Sequence, residues 1–357
     1  MDINSVLALL RPEINQLKAY DNLRGQTDDE AIILDSNENI VSPTQSQTDS
    51  GCFRYPEIRP IQLIERLAKL YSVESNQIML GRGSDDLIDV LIRAFCRANQ
   101  DSILQTSPCF SMYSITASIQ GANVIDVPLK ETNDFAYDIN ELITNLSSDI
   151  KLIMLASPQS PTGNVLSRTD LIKLLKHATQ QVIVIDEAYI EFSSSESAAQ
   201  LISEFPNLIV LRTLSKAYGL ANIRCGALLA QAAVIKKLRP VLTPYALSGL
   251  TVSVAYEALE PKNLARIQMI NADLKKRKDL LISGLEQLSF VVKIYSSETN
   301  FVLLQVKSPR LLIEYLEKRN IYIRSYSPNG QLKDFVRISI GSFDEIETVL
   351  NCLKQFN

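Results

Sequence analysis

The sequence contains a single histidine, His177, among its 357 residues. A zinc site built from several histidines is therefore excluded. A Ser-His-Asp triad would have to use His177. That residue lies in a helical pattern over residues 170–179, which favours a solvated helix position instead.

Paired cysteines, long apolar runs and an excess of positive charge are also absent. The five cysteines include no C-x-x-C pair, which favours reduced thiols in the cytoplasm. No apolar run approaches the roughly 18 residues that span a bilayer, and the first ten residues make a poor signal peptide. The net charge of -4 argues against nucleic-acid and membrane surfaces, but it allows a small basic pocket for an anionic substrate.

Short apolar runs alternate with helical patterns through the middle of the chain. Nearly continuous apolar runs predict strands covered on both faces at 78–80, 102–104, 151–155, 182–185 and 208–211. Apolar residues at helical spacing predict helices over 85–99 and 169–179. This alternation predicts an α/β fold, with a mainly parallel sheet flanked by helices.

The pattern changes after residue 248. A helical stretch over 252–288 is followed by strand-like segments at 290–294, 300–306, 321–323 and 335–340, with a helix at 308–319. We predict a segment 1–29 that packs near a smaller α+β domain, a large domain over 30–247, and the small domain over 248–357. The polar residues 36–51 are interpreted as a loop.

Ligands of open α/β sheets bind beyond the carboxyl ends of the strands, and polar motifs follow the predicted strands here. They are Gly-Arg-Gly-Ser-Asp at 81–85, Ser-Pro-Cys-Phe at 107–110, Ser-Pro-Gln-Ser-Pro-Thr-Gly at 157–163, Asp-Glu-Ala-Tyr at 186–189 and Thr-Leu-Ser-Lys at 213–216. The first motif lacks the third glycine of a dinucleotide fingerprint and is not a P-loop. It suits a phosphate at a helix N-terminus, or a plain turn capped by Ser84.

Five residues at these strand ends have side chains that suit pyridine and phosphate chemistry. Asp186 ends a buried strand and needs a partner, which a pyridinium nitrogen or a structural ion pair would supply. Tyr189 could bond a ring hydroxyl. Lys216 suits Schiff-base chemistry, although most lysines lie on the surface. Arg224 could grip a phosphate, with Ser215 adding a hydroxyl.

Seven short motifs are distributed over nearly the whole chain. They are Leu-Asp-Ser-Asn-Glu-Asn at 34–39, Tyr-Pro-Glu at 55–57, Gly-Ser-Asp at 83–85, Pro-Thr-Gly at 161–163, Asp-Glu-Ala-Tyr at 186–189, Arg-Thr-Leu-Ser-Lys-Ala at 212–217 and Val-Arg-Ile-Ser-Ile-Gly at 336–341. This set resembles the fold-type-I aminotransferases that use pyridoxal 5'-phosphate (PLP). The elements at 37–39 and 55–57 narrow the resemblance to the histidinol-phosphate branch.

The resemblance implies a role for each residue of the site. Lys216 would form the internal aldimine with PLP and then shuttle a proton between the substrate carbon and the cofactor. Asp186 would pair with the ring nitrogen and Tyr189 with the ring oxygen. The remaining implied cofactor contacts are Ser84, Asp85, Ser215 and Arg224 at the phosphate, Phe110 and Ser160 at the ring, and Tyr55 from the other subunit of a homodimer. The implied substrate contacts are Tyr20, Asn37, Arg324 and Arg337.

The sequence departs from the family pattern at several of these positions. Phe110 replaces the usual stacking tyrosine, so a hydroxyl is lost. Ser160, preceded by Gln159, replaces an asparagine that contacts the ring oxygen. Asp86 occupies a position where the family usually has glutamate, and Ile-Val at 40–41 replaces a loop that contains proline in the family. These changes leave the lysine and phosphate contacts intact and bear on substrate preference and rate.

The resemblance implies transamination between L-histidinol phosphate and 2-oxoglutarate, a step of histidine biosynthesis. An aminotransferase for aromatic or other amino acids is one alternative, since Arg337 could bind a carboxylate. A lyase resembling phosphothreonine decarboxylases is another. A non-catalytic protein on this fold is disfavoured, because the chain keeps Lys216 together with Asp186, Tyr189 and Arg224.

Overall fold

The computed structural model describes residues 1–19, 36–39 and 52–356. Tyr20 and most of the predicted loop at 36–51 lie outside the described residues. The strands of the larger sheet are β1 (Ile78–Gly81), β2 (Ser102–Gln105), β3 (Asn123–Asp126), β4 (Ile150–Ala156), β5 (Val182–Asp186), β6 (Leu208–Thr213) and β7 (Gly226–Leu229). Those of the smaller sheet are β8 (Val291–Ile294), β9 (Phe301–Val306), β10 (Arg324–Ser325) and β11 (Phe335–Ser339).

The larger sheet has the order β1-β7-β6-β5-β4-β2-β3. Strands β3, β2, β4, β5 and β6 pair in parallel, whereas β7 is antiparallel to β6 and β1. The five strands predicted in this region are confirmed. The sequence analysis missed β3, whose side chains are only partly covered at the sheet edge, and the four-residue β7.

Helices flank this sheet and build much of the smaller domain. They are α1 (Ile3–Ala8), α2 (Pro12–Gln16), α3 (Ile61–Tyr71), α4 (Gly83–Phe95), α5 (Met112–Gln120), α6 (Ile139–Thr144), α7 (Arg168–His177), α8 (Ala232–Leu238), α9 (Gly249–Ala258), α10 (Pro261–Ala272), α11 (Leu274–Leu285), α12 (Pro309–Glu317) and α13 (Phe343–Leu353). The helix predicted over 252–288 is therefore three helices. Pro261 begins α10 because proline lacks an N–H and fits the first turn of a helix.

The first nineteen residues pack against the larger domain, so the predicted packing near the smaller one is wrong for them. Val6, Leu10 and Ile14 join the apolar cluster between the larger sheet and helices α4 and α8. Lys237 of α8 donates a hydrogen bond to the Asn15 carbonyl at 2.8 Å. Apolar residues of α1 and α2 are covered by these helices, which explains the placement.

The smaller sheet is antiparallel, with the order β10-β11-β9-β8. The strand predicted at 321–323 is wrong, because β10 begins at Arg324, where it pairs with Arg337. A cluster of Leu129, Phe135, Tyr295, Leu303, Leu332 and Phe335 joins this sheet to the segment after β3. It fixes one face of the smaller sheet against the larger domain. Within the described ranges, no helix has the length and apolar character to cross a membrane.

Candidate active site

A pocket of about 120 Å³ lies at the carboxyl ends of β1, β4, β5 and β6. Parallel strands bring their ends to one edge, so residues distant in sequence meet there. Its lining includes nine of the ten predicted cofactor contacts: Ser84, Asp85, Phe110, Ser160, Asp186, Tyr189, Ser215, Lys216 and Arg224. Tyr113, Ala156, Ala188 and Thr213 complete it. Tyr55 is the predicted cofactor contact that does not line this pocket.

Asp186 is a buried carboxylate at the base of the pocket. Its Oδ2 accepts a hydrogen bond from the Tyr113 hydroxyl at 2.8 Å, and its Oδ1 accepts one from the Ala188 N–H at 3.1 Å. Burial raises the pKa of Asp186 despite these two bonds, which act in the opposite direction. A cationic group in the pocket would oppose that rise, as the predicted pairing with a ring nitrogen requires.

Tyr113 is a contact that the sequence analysis missed. It lies in α5, three residues after Phe110, and its ring meets that of Phe110 edge-on at 5.8 Å between centroids. Burial raises the pKa of Tyr113 far above its ordinary value, so the phenol remains a donor to Asp186. Its place one helical turn beyond Phe110 was the available signal, but the bond to Asp186 depends on tertiary packing.

Replacing Tyr113 by phenylalanine is expected to raise the pKa of Asp186, because the variant loses a hydrogen bond that favours the carboxylate. If activity requires ionised Asp186, the acid limb of kcat/KM moves to higher pH, since protonation then begins at a higher pH. The measurement is a pH profile for an amino donor. Tyr137→Phe is the matched control, because it removes a buried phenol that bonds the Ala156 carbonyl instead. An unchanged acid limb in Tyr113→Phe would contradict this role.

The N-terminus of α4 and Arg224 form a polar corner of the pocket. Gly83, at the start of α4, has a φ of 77°, and an added Cβ would lie 2.5 Å from the Arg224 guanidinium. A Cβ on Gly226 would lie 2.4 Å from the Gly83 backbone. Glycine at both positions lets Arg224 and β7 approach the helix terminus, where N–H groups and the helix dipole favour an anion.

The side chains of this corner already contact one another. Arg224 Nη2 lies 3.0 Å from Asp85 Oδ2, and its Nη1 donates to Ser215 Oγ at 3.4 Å. One guanidinium thus joins the loop after β6 to the first turn of α4. This geometry suits an anionic group held by Arg224, hydroxyls and helix N–H groups.

Lys216 and Tyr189 both line the pocket. Lys216 Nζ lies 5.5 Å from the centroid of the Tyr189 ring. Tyr189 in turn meets Phe301 of the smaller sheet edge-on, with centroids 5.3 Å apart. The amine therefore lies near the phenol and close to the junction between the domains.

The predicted substrate arginines lie on the smaller sheet. Arg337 Nη1 donates to Ser160 Oγ at 3.1 Å, and its guanidinium lies 4.7 Å from the Phe301 ring centroid. Arg324 is the register partner of Arg337. Ser160 thus contacts an arginine directly, a partner that the sequence analysis did not assign to it.

Asn37 and Tyr55 lie in a second cavity, of about 640 Å³, which is separate from the Lys216 pocket. Tyr55 is 49% exposed and stacks on Tyr245, with ring centroids 4.5 Å apart. Glu38 accepts hydrogen bonds from the Tyr55 N–H and from Arg54. A single chain therefore does not bring these two predicted contacts to the Lys216 pocket.

A buried ion-pair network supports the strand ends from the other side of the sheet. Arg212 pairs with Glu187 at 3.3 Å and with Glu191 at 2.6 Å, and it lies 4.4 Å from the Tyr71 ring centroid. Glu187 also accepts bonds from Ser197 and the backbone beyond it. These side chains do not line the Lys216 pocket, so we interpret them as structural.

The exposed His177 on α7 also fits its predicted solvated position.

Comparison with known proteins agrees with this geometry. The sequence pattern of the family described as "Aminotransferase class I and II" matches residues 16–353. The chain belongs to this family. Histidinol-phosphate aminotransferase 2 of Idiomarina loihiensis is 38% identical over 351 residues, which cover 98% of each chain. The predicted family and fold class are confirmed.

Solved structures share this fold. The histidinol-phosphate aminotransferase of Clostridium acetobutylicum aligns with a TM-score of 0.78 and 25% identity, covering 86% of this chain and 92% of that one. The L-threonine-O-3-phosphate decarboxylase of Porphyromonas gingivalis aligns with a TM-score of 0.71 and 25% identity, covering 85% and 92%. Enzymes of the class I and II family depend on PLP, so the predicted cofactor is supported as well.

Proposed function

We propose that this protein is a cytoplasmic histidinol-phosphate aminotransferase, which transfers an amino group between L-histidinol phosphate and 2-oxoglutarate in histidine biosynthesis. The observation that carries the proposal is the 38% identity to the Idiomarina enzyme over 98% of both chains. The pocket supports it, because it gathers a lysine, a buried carboxylate and an anion-binding corner at one sheet edge.

The residues of the pocket fit PLP. When bound, PLP supplies an electron sink for the negative charge that develops at the substrate carbon. Asp186 would keep the ring nitrogen protonated, and Tyr189 would contact the ring oxygen, with Ser160 beside it. Phe110 would stack on the ring. Ser84, Asp85, Ser215 and Arg224 would hold the phosphate.

Lys216 would have two tasks. Its amine would attach the cofactor covalently, and after substrate binding it would move a proton between the substrate carbon and the cofactor. Lys216 follows β6, and its amine lies near the Tyr189 ring in the same pocket. This position supports a role beside the residues that we assign to the cofactor ring.

Arg324 and Arg337 would bind the anionic end of the substrate, with Tyr20 and Asn37 as further contacts. Cross-strand partners share one face of a sheet, so the two arginines present their charges on the same side of β10 and β11. A phosphate monoester suits two guanidinium groups better than an apolar side chain does.

We also propose a homodimer in which Tyr55 reaches the pocket of the other subunit. Tyr55 is half-exposed and lies in a cavity that also contains Leu250, an apolar residue that is 50% exposed. A second copy covering this region would bury both side chains and bring the phenol to a pocket that it does not reach within its own chain.

The deciding experiment is a half-reaction on purified, PLP-loaded protein. L-Histidinol phosphate without 2-oxoglutarate is expected to shift the cofactor absorbance to the pyridoxamine form, and 2-oxoglutarate is then expected to yield glutamate. A shift with an aromatic amino acid instead would move the function to that alternative. Release of carbon dioxide from phosphothreonine would favour a lyase, the activity named for the Porphyromonas structure.

A further inference from the structure

A partly buried tyrosine, whose hydroxyl is buried, lies beside the two substrate arginines on the smaller sheet. Tyr326 follows Arg324 by two residues, and side chains two apart along an extended chain point to the same side. Its ring packs against the cluster that contains Leu303 and Phe335. Phe335 precedes Arg337 by two residues in β11, so Arg337 points to that side as well. Tyr326, Arg324 and Arg337 therefore share the face directed toward the larger domain.

Two donors on this face are buried without an acceptor. The Tyr326 hydroxyl and Arg337 Nε have no hydrogen-bond partner in the described part of the chain. Folded proteins pair nearly all buried polar groups, so a pair of unpartnered donors on one face points to a ligand that accepts from both. Arg324 adds a further positive charge next to them, which favours an anion.

The Tyr326 phenol is a donor at neutral pH. Burial raises its pKa to about 12, an effect that Arg337 and Arg324 only partly oppose. Arg337, on the same face, donates to Ser160 of the Lys216 pocket, so this face of the smaller sheet borders that pocket. The group can therefore donate to an anionic oxygen without losing its proton.

We propose that Tyr326 is a specificity-determining residue, which donates a hydrogen bond to an oxygen of the substrate phosphate beside Arg324 and Arg337. This inference rests on the proposed function and deepens it, because it assigns a further group to recognition of the phosphate. The sequence analysis did not single out Tyr326.

The number of available donors favours a phosphate over a carboxylate. Arg337 already uses Nη1 for Ser160, which leaves Nε and Nη2 for a ligand. Those two donors match the two oxygens of a carboxylate. A phosphate monoester has a third terminal oxygen and more charge, so it needs Arg324 and Tyr326 as well. Glutamate should therefore depend on Tyr326 much less than histidinol phosphate does.

The test is Tyr326→Phe in the PLP-loaded full-length protein. The ring and its packing remain, and removing an unpartnered buried hydroxyl should leave Tm unchanged or raise it. We expect KM for L-histidinol phosphate to rise by about tenfold or more, as for loss of a hydrogen bond to a charged group. KM for L-glutamate should change by less than about threefold, with kcat nearly constant for both, because the bond adds only binding.

Tyr315→Phe is the matched control, since its hydroxyl donates to the Cys352 carbonyl rather than lying beside the two arginines, and its loss should leave both KM values unchanged. An unchanged KM for histidinol phosphate in Tyr326→Phe would overturn the proposal, and so would equal losses for both substrates. A lower Tm with those equal losses would assign the hydroxyl a packing role instead.

A second measurement separates this inference from the proposed function. Failure of the wild-type protein to react with histidinol phosphate would overturn the function alone. Inorganic phosphate would then be used to inhibit the glutamate half-reaction. Inhibition about tenfold weaker in Tyr326→Phe than in the wild type would support the phosphate contact. Equal inhibition of both proteins would overturn it.

Discussion

Replacing Lys216 by alanine is expected to reduce turnover by more than about a thousandfold, which corresponds to roughly 4 kcal/mol of lost transition-state stabilisation. The variant loses both the amine that attaches the cofactor and the base that moves the substrate proton. No other lysine lines the pocket among the described residues. The rate is measured in single turnover with L-histidinol phosphate, so that product release does not mask the chemical step.

Cofactor binding provides the second measurement on Lys216→Ala. The variant should fold normally, because the lysine side chain is exposed to the pocket rather than buried in the core. The anion-binding corner around Arg224 is intact, so the variant should retain PLP that dialysis can remove and borohydride cannot fix to the protein. Lys278→Ala is the control: this half-buried lysine bonds the Ser297 carbonyl outside the pocket. More than about a thousandth of the wild-type rate in Lys216→Ala would contradict the assigned role.

Residues at strand ends could be predicted because their positions follow from local patterns. Apolar runs place Asp186 and Lys216 at or just beyond the ends of strands, and parallel pairing brings those ends to one edge. The family resemblance implied the cofactor contacts themselves, and nine of them line the one pocket at this sheet edge. Strand β7 is also a buried apolar run, but its antiparallel direction depends on its pairing with β1 and β6, which the sequence alone does not determine.

Contacts that depend on tertiary packing could not be predicted from the sequence in the same way. Tyr113 reads as an ordinary apolar position of α5, and its bond to Asp186 joins residues 73 apart. The bond between Ser160 and Arg337 joins two domains across 177 residues. The packing of α1 and α2 on α8 likewise depends on which apolar face is available. Residue type and spacing do not determine such pairings, because each depends on how the elements meet.

Replacing Asp186 by asparagine is expected to lower kcat/KM roughly a hundred- to several-thousandfold. The amide has nearly the same shape: its oxygen can accept from the Ala188 N–H and its NH2 group can donate to the Tyr113 hydroxyl, but it carries no charge to hold a ring nitrogen protonated. Removing one partner from a buried charge pair costs about 3–5 kcal/mol, which gives this range of rates. The measurements are the single-turnover rate constant, which should fall, and the dissociation constant of the cofactor, which should rise.

Glu187→Gln supplies the matched control, because Glu187 is the next residue and is equally buried but pairs with Arg212 away from the pocket. The Tm of that variant should fall, because Arg212 loses part of its charge pairing. Its kcat per folded site should stay within about threefold of the wild type. The contrast decides what a buried carboxylate at this strand end does. A lower Tm with retained rate in both variants would make Asp186 a structural hydrogen-bond acceptor, whereas loss of rate in Asp186→Asn alone would assign its charge to the cofactor ring.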